Sequence, residues 1–350
     1  MTASARPPSV PSLVIQTSFL GDVVLTTPLI GELASRGPVD VVVTPAAAPL
    51  LANHPDIRDL LVFDKRGAHG GLGGLWRFSR TLRAWEDGTP RRYAAAYLAQ
   101  GSWRSAALAK LAGVTERVGF DSSDGRPFYT KRIPYDATMH HAERLWRLSS
   151  PPAGPPVADS MRLRLYPGDN ERRAVDALLA AVPHDSAPFV ALAPGSIWGT
   201  KRWPHFADLA ARLAPLFHLV VIGSAADAPL AADIAKACKQ LHVIDATGKL
   251  SLLASAELIG RCAAIVTNDS APQHLASAMR TPTITIFGPT VPAFGFGPLA
   301  PRHASEGLRD LSCRPCHAHG PAVCPLGHWR CMRDLPAERV ELALHTLLKS

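Results

Sequence analysis

The stretch Ala264-Ile265-Val266-Thr267-Asn268-Asp269-Ser270-Ala271-Pro272-Gln273-His274 sets an apolar run against a polar turn and then the opening of a helix. An apolar run without alternation predicts a strand covered on both faces, as in a parallel sheet. Ser270 stands where a helix N-cap belongs, and Pro272 fits the first turn, where a missing N–H costs little. A helix start offers unpaired backbone N–H groups and a partial positive charge. A phosphate placed there would accept several amide hydrogen bonds. Asp269 either orders the turn or accepts from a ribose hydroxyl. The plainer reading of the same residues is a capped helix with no ligand. Strand, turn and helix in this order are the repeating unit of an open α/β sheet.

The same unit recurs on both sides of that stretch. Downstream, Ala271 to Met279 reads as a helix, Thr283 to Phe287 as a strand and Pro336 to Leu348 as a closing helix. Upstream, strands are expected at Phe189 to Ala193, His218 to Ile222 and His242 to Asp245. Helices are expected at Trp203 to Leu213, with Pro204 in its first turn, at Leu230 to Cys238 and at Ser251 to Gly260. Between the first of these strands and helices runs Ala193-Pro194-Gly195-Ser196-Ile197-Trp198-Gly199-Thr200-Lys201-Arg202-Trp203-Pro204. Ser196, Thr200 and Lys201 could form a second phosphate clamp, since a lysine acts as a point charge against phosphoryl oxygens. The glycine pattern of a Walker loop is absent. A solvated basic loop is the alternative.

The first half repeats the plan. Ser12 to Thr17, Val39 to Val43, Leu60 to Phe63 and Ala94 to Leu98 read as strands. Helices are expected over Val23 to Leu33, Pro45 to Ala52, Leu75 to Trp85 and Ser102 to Ala112, and Gly67 to Gly74 as a flexible loop. Thr17-Ser18-Phe19-Leu20-Gly21-Asp22 is the matching strand-to-helix turn, and Asp22 has two readings, a helix cap or a general base. Lys65, Arg66, Arg77 and Arg80 follow a strand end and could face an anionic acceptor, or simply be surface arginines and lysine; Lys131-Arg132 is a weaker case. Pro151-Pro152-Ala153-Gly154-Pro155-Pro156 cannot hold a helix or a central strand and marks the join. We therefore expect two Rossmann-like domains, residues 1–155 and 156–350, with a cleft between the carboxyl ends of their sheets.

The whole chain of 350 residues suits two domains and is 47% hydrophobic, an ordinary globular share. No apolar run reaches the roughly 20 residues of a membrane helix, and Met1 to Pro11 lacks a signal-peptide core. A cytoplasmic protein is expected, with a peripheral contact at the inner membrane left open. The net charge of +8 favours anionic partners. No nucleic-acid motif accompanies it, so nucleic acid is not the expected partner.

Cys238 and Cys262 are isolated in apolar surroundings and read as small buried hydrophobes. Cys313, Cys316, Cys324 and Cys331 instead fall within nineteen residues, among Pro315, Gly320, Pro321, Pro325 and Gly327. Four thiolates can enclose a structural Zn²⁺, with His317, His319 and His328 as rival ligands. Free thiols or a redox pair are the other readings.

Gly21-Asp22 with Thr27-Pro28, Ala193-Pro194-Gly195-Ser196 through Lys201-Arg202-Trp203-Pro204, Thr267-Asn268-Asp269-Ser270 with His274, and Phe287-Gly288-Pro289-Thr290 form an ordered set from end to end. In that order the chain resembles the ADP-heptose:lipopolysaccharide heptosyltransferase family (glycosyltransferase family 9), nearest in pattern to heptosyltransferase II. The resemblance implies the GT-B fold, an α/β architecture of two facing Rossmann-like domains. It implies an ADP-heptose donor held by the second domain and an anionic lipopolysaccharide-core acceptor held by the first. It further implies transfer with inversion and no metal cofactor for catalysis. Asp22 matches the family's catalytic base, and Lys201 the residue that steadies the diphosphate. Asp269 matches the acidic residue of the nucleotide-sugar turn, and Ser270, Ala271 and His274 match positions lining the donor. Two departures stand out. Ala271 replaces the family's glycine, and the cysteine cluster is not a general family feature. A transferase of the same fold with another nucleotide sugar, or a non-catalytic nucleotide-binding protein, remains the rival expectation.

Overall fold

Unbroken apolar runs become the centres of two sheets. In a computed structural model that describes residues 10–83, 85–86, 89–90, 92–151, 154, 156–180, 182, 187–239 and 243–349, the chain divides into two compact units, Met1–Arg164 and Leu165–Ser350. Of the expected join, Pro152, Ala153 and Pro155 lie outside the described residues, as does His242 of one expected strand.

Unit 1 holds β1 (Ser12–Ile15), β2 (Val39–Val43), β3 (Asp59–Val62), β4 (Ala95–Leu98), β5 (Glu116–Phe120) and β6 (Lys131–Ile133), in the order β3-β2-β1-β4-β5-β6. Unit 2 holds β7 (Phe189–Ala193), β8 (His218–Val221), β9 (Val243–Asp245), β10 (Ala264–Asn268), β11 (Thr283–Ile286) and β12 (His303–Glu306), in the order β9-β8-β7-β10-β11-β12. Every pairing in both six-stranded sheets is parallel. Counted within each unit, both orders run 3-2-1-4-5-6, the doubly wound arrangement in which ligands bind where the order reverses, beyond the carboxyl ends of the first and fourth strands. Those ends are Thr17 and Gln100 in unit 1, and Pro194 and Asp269 in unit 2.

Helices cover the sheets with apolar faces. Leu75, Phe78 and Leu108 pack on Leu13, Ile15 and Leu98 in unit 1. In unit 2, Phe206, Leu209 and Leu213 share a core with Val190, Val266 and Ile286, and the last helix, Ala337–Lys349, adds Val340, Leu344 and Leu347. Cys238 and Cys262 are buried, and burial pushes the Cys262 thiol up to about 12.

Several elements depart from the expected boundaries. The single helix expected over Val23 to Leu33 is two, Leu20–Leu25 and Thr27–Ala34. Pro28 has no N–H to give the Val24 carbonyl, and the Thr27 hydroxyl donates to that carbonyl instead, at 2.8 Å. Residues 71 to 74 are not loop but the start of the helix Gly71–Thr81, docked through Leu75 and Phe78; Trp85 lies beyond it in a two-residue strand. Gly74 is pressed against the backbone of His69 with no room for a side chain. The helix expected from Trp203 begins only at Phe206, so Pro204 precedes it. The Trp203 N–H donates to Asn268 Oδ1 at 3.2 Å, which ties the residues before the helix to the end of β10.

One charged group lies in the centre of the first sheet. Asp40 on β2 is fully buried; it accepts from Arg58 Nε at 2.8 Å and Nη2 at 2.7 Å, and from Tyr93 Oη at 2.8 Å. Removing the guanidinium strands a buried carboxylate. Arg58→Ala will cost about 3 kcal/mol in denaturant unfolding of the full chain, the low end for breaking a buried pair because Tyr93 remains. A loss below about 1 kcal/mol would mean the pair is already solvated.

Candidate active site

The carboxyl end of β10 and the loop after β7 meet at the strand-order reversal of unit 2. Asn268 ties them: its Nδ2 donates to Pro194 O at 2.8 Å. Gly195 in this loop faces Asp227 so closely that any side chain would overlap the carboxylate. The loop ends in a short turn, Gly199–Lys201, which delivers Lys201 to Asp269.

Lys201 Nζ stands 2.6 Å from Asp269 Oδ2, and both residues are buried, at 8% and 7% exposure. The same Oδ2 accepts from Thr290 Oγ1 at 2.7 Å, and Oδ1 accepts from Gln273 Nε2 at 2.9 Å. Three donors therefore fix the Asp269 carboxylate, and Asp269 in turn fixes the lysine. An ammonium carries three N–H donors. Among the described residues Asp269 takes one of them, so the ammonium retains donors for an anion.

The helix Ala271–Met279 starts beside this pair. Ser270 occupies the N-cap position with extended backbone, but its hydroxyl donates back to Asn268 O at 3.3 Å and makes no cap bond. Ala271 begins the helix and is not among the residues with positive φ, so the local backbone does not require the family's glycine. His274 lies one turn on and is buried. Thr200 is buried, and its hydroxyl donates to Pro321 O; Ser196 Oγ accepts from Trp198 N at 3.2 Å. An open hollow of about 550 Å³ elsewhere in unit 2, walled by His205, Arg212, Arg333 and Glu338, is a salt-bridged surface feature. The buried polar groups converge at Lys201 instead.

In unit 1, Asp22 sits in the first turn of the helix Leu20–Leu25. Its Oδ2 accepts from Phe19 N at 3.4 Å, a long capping bond, and its Oδ1 lies 3.9 Å from His141 Nε2. The backbone beneath is firmly placed: Thr26 Oγ1 donates to Asp22 O at 2.7 Å and accepts from Gln16 Nε2 at 3.1 Å. At the strand-order reversal, Thr17 Oγ1 donates to Gln100 Oε1, and Ser105 Oγ joins the same oxygen at 3.2 Å. Lys65 Nζ donates to Thr17 O at 2.6 Å; burial, with Arg66 and Arg104 nearby, draws its pKa below the usual lysine range. His141 also borders a hollow of about 290 Å³ lined by Gly101, Ser122, Ser123, Asp124 and Tyr135. Arg77 and Arg80 are held locally, Arg77 by Ala68 O at 3.1 Å and Arg80 over the Trp76 ring at 5.0 Å. Lys131 and Arg132 are exposed on β6, the edge strand.

A family model described as glycosyltransferase family 9 (heptosyltransferase) matches residues 76–326. The chain belongs to glycosyltransferase family 9. The family 9 enzyme is 27% identical to lipopolysaccharide heptosyltransferase 2 of Salmonella typhimurium over 365 residues, covering 96% of this chain and 98% of that protein. It is 29% identical to lipopolysaccharide heptosyltransferase 1 of Pseudomonas aeruginosa over 345 residues, covering 93% of this chain and 92% of that protein. It superposes on the structure of E. coli ADP-heptose lps heptosyltransferase II with a TM-score of 0.77, at 24% identity, over 97% of this chain and 98% of that one. The fold is thus the GT-B architecture expected from the sequence.

Lys201 and Asp269, expected on two loops of one diphosphate-binding site, are joined by the fold in a direct ion pair. Gln273 escaped notice because a glutamine in a helix carries no special signal. Arg314 escaped too, although its Nη2 donates to Phe287 O at 2.8 Å and Thr290 O at 3.1 Å, and its Nε to Gly288 O.

Proposed function

We propose that this family 9 enzyme transfers L-glycero-D-manno-heptose from ADP-heptose to the lipopolysaccharide inner core, with inversion at the anomeric carbon. The observation that carries this reading is the buried Lys201–Asp269 pair at the head of the helix Ala271–Met279. A lysine held by a carboxylate, beside first-turn amides, suits a diphosphate leaving group. As ADP departs, charge grows on its β-phosphate. Lys201 offsets it, a role that Mg²⁺ fills in other transferases, and turnover needs no added divalent metal. In unit 1, Asp22 takes the proton from the acceptor hydroxyl as the new bond forms. The anomeric carbon passes through an oxocarbenium-like state.

The names of the Salmonella, Pseudomonas and E. coli relatives supply heptose, ADP and lipopolysaccharide; the charge of +8 suits a phosphorylated core. The acceptor then sits at the inner face of the cytoplasmic membrane. Unit 1 has features that fit a peripheral contact there: Phe19, Leu72, Trp76 and Trp103 are exposed, with Arg80 and Arg104 stacked over the two tryptophans. Among the described residues no helix is long and apolar enough to cross a membrane.

The test is a donor screen on deacylated inner-core acceptors, with and without a first heptose, in the absence of added metal. We expect turnover with ADP-heptose and none with UDP- or GDP-sugars. Turnover with another ADP-sugar alone would replace heptose and keep the mechanism. Tight ADP binding with no transfer to any acceptor would favour a non-catalytic nucleotide-binding protein.

A further inference from the structure

We propose that Cys313, Cys316, Cys324 and Cys331 bind one thiolate-preferring, tetrahedral metal ion, and that this ion fastens the segment that backs Lys201. Three of the side chains come from the run 307–329 and the fourth from the helix Arg330–Arg333, yet all line one cavity, together with Thr200, Pro289 and Trp329. Its free volume is about 40 Å³, room for an ion and not for a sugar nucleotide. All four cysteines are free of disulfides. They do not yet stand at ligand distance: among the described residues no three His, Cys, Asp or Glu groups do. An ion would draw the sulfurs to about 2.3 Å around it.

The surrounding chain fits that role. Between β12 and the four-residue helix Arg330–Arg333, residues 307–329 contain no helix or strand. A structureless run this long inside a compact domain needs another source of order. The turn after Cys324 is closed by its own backbone: Gly327 N donates to Cys324 O at 3.0 Å, and Gly327 takes φ +69°. His328 lines the cavity too, with Nε2 3.8 Å from Cys313 Sγ, but its Nδ1 accepts from Arg330 N at 3.1 Å. We assign it outside the ligand set.

The segment grips both sides of the clamp. Arg314, between two of the cysteines, holds the carbonyls of Phe287, Gly288 and Thr290, and so fixes the loop that presents Thr290 to Asp269. Cys316 N donates to Pro289 O at 3.0 Å. On the other side, Pro321 O receives the N–H and hydroxyl of Thr200, next to Lys201. Gly320, at φ +82°, lies flat on the lysine stem: a Cβ there would stand 3.2 Å from Lys201 Cγ and Cε. Loosening residues 313–324 therefore frees Thr290 and Lys201 together.

The fastening role rests on the donor reading above; the metal does not, so two readouts separate them. Full-length protein purified without chelators is analysed for bound metal, then reloaded with Co²⁺. We expect about one zinc or iron ion per chain, and an intense sulfur-to-cobalt charge-transfer band with tetrahedral d–d bands. Cys316→Ser and Cys324→Ser will lose the ion, whereas His328→Ala and Lys201→Met will keep it. ADP affinity, by calorimetry, will fall about tenfold in Cys316→Ser. Substoichiometric metal with no cobalt band overturns the site, as does metal retained by both serine variants. Metal lost from the serine variants with ADP affinity unchanged overturns the fastening role. Failure of the wild-type protein to bind ADP would count against the donor reading and leave the metal assignment standing.

Discussion

Asp22→Ala will lower kcat by about 10³-fold while the protein stays folded, in the middle of the range for loss of a general base. The two roles read for this residue separate energetically. As a cap, its Oδ2 reaches Phe19 N only at 3.4 Å, so losing that bond costs about 0.5 kcal/mol, the low end for capping groups. The backbone that carries it is held by Thr26 and Gln16, which the substitution does not touch. A large fall in kcat with near-normal unfolding can therefore come only from the chemistry. The donor KM will stay close to that of wild type, because the base acts on the acceptor. Asp22→Asn, nearly isosteric, will be as inactive as Asp22→Ala. If either variant keeps more than a tenth of wild-type kcat, the proton goes elsewhere and Asp22 is a cap.

Lys201→Met gives the second large effect, and it differs in kind. Removing the ammonium takes away the charge that meets the departing diphosphate, a loss of about 10³-fold in kcat/KM by analogy with oxyanion-stabilising groups. It also leaves the Asp269 carboxylate buried with only Thr290 and Gln273 as donors. That should destabilise the protein by about 3 kcal/mol. The double variant Lys201→Met/Asp269→Asn removes both charges. It will recover most of the stability and none of the activity. Recovery of activity in the double variant would show that the lysine merely neutralises Asp269. Asp269→Asn alone, which strands the lysine, will fall between: the charge for the phosphate remains, but its position is no longer fixed by a carboxylate.

The contrast between what the residues announced and what they concealed has a physical source. Val39–Val43, Phe189–Ala193 and Ala271–Met279 were legible because central parallel strands and core-facing helices are written in continuous or periodic apolar residues. Two of the four edge strands of the six-stranded sheets, Lys131–Ile133 and His303–Glu306, were not read, since their polar and exposed side chains form no apolar run. The helix Asp169–Leu179 was missed for a similar reason: Val175 is its one buried residue. At the site, local chemistry marked Lys201, Asp269 and Asp22 as candidates. Their partners lie far along the chain, as with Lys201 and Asp269 or Arg314 and Phe287, and no local pattern encodes such pairs. Ala271 shows the reverse: a missing glycine looked like a defect, yet the backbone there is ordinary helix.

The strand order of unit 1 also has a consequence for how the protein is made. The central strand β1 emerges from the ribosome first, but one of its two neighbours, β4, comes only after β2, β3 and the helix Gly71–Thr81. At roughly 5–20 residues per second, several seconds pass before Leu98 follows Ile15. Throughout that interval the most apolar strand of the nascent chain has an open hydrogen-bonding edge. Slowed translation between these two strands would lengthen the exposure, and chaperone capture should peak for chains arrested there. No strand of unit 2 contributes to the sheet, so the hazard ends once Ile133 has emerged and β6 has paired.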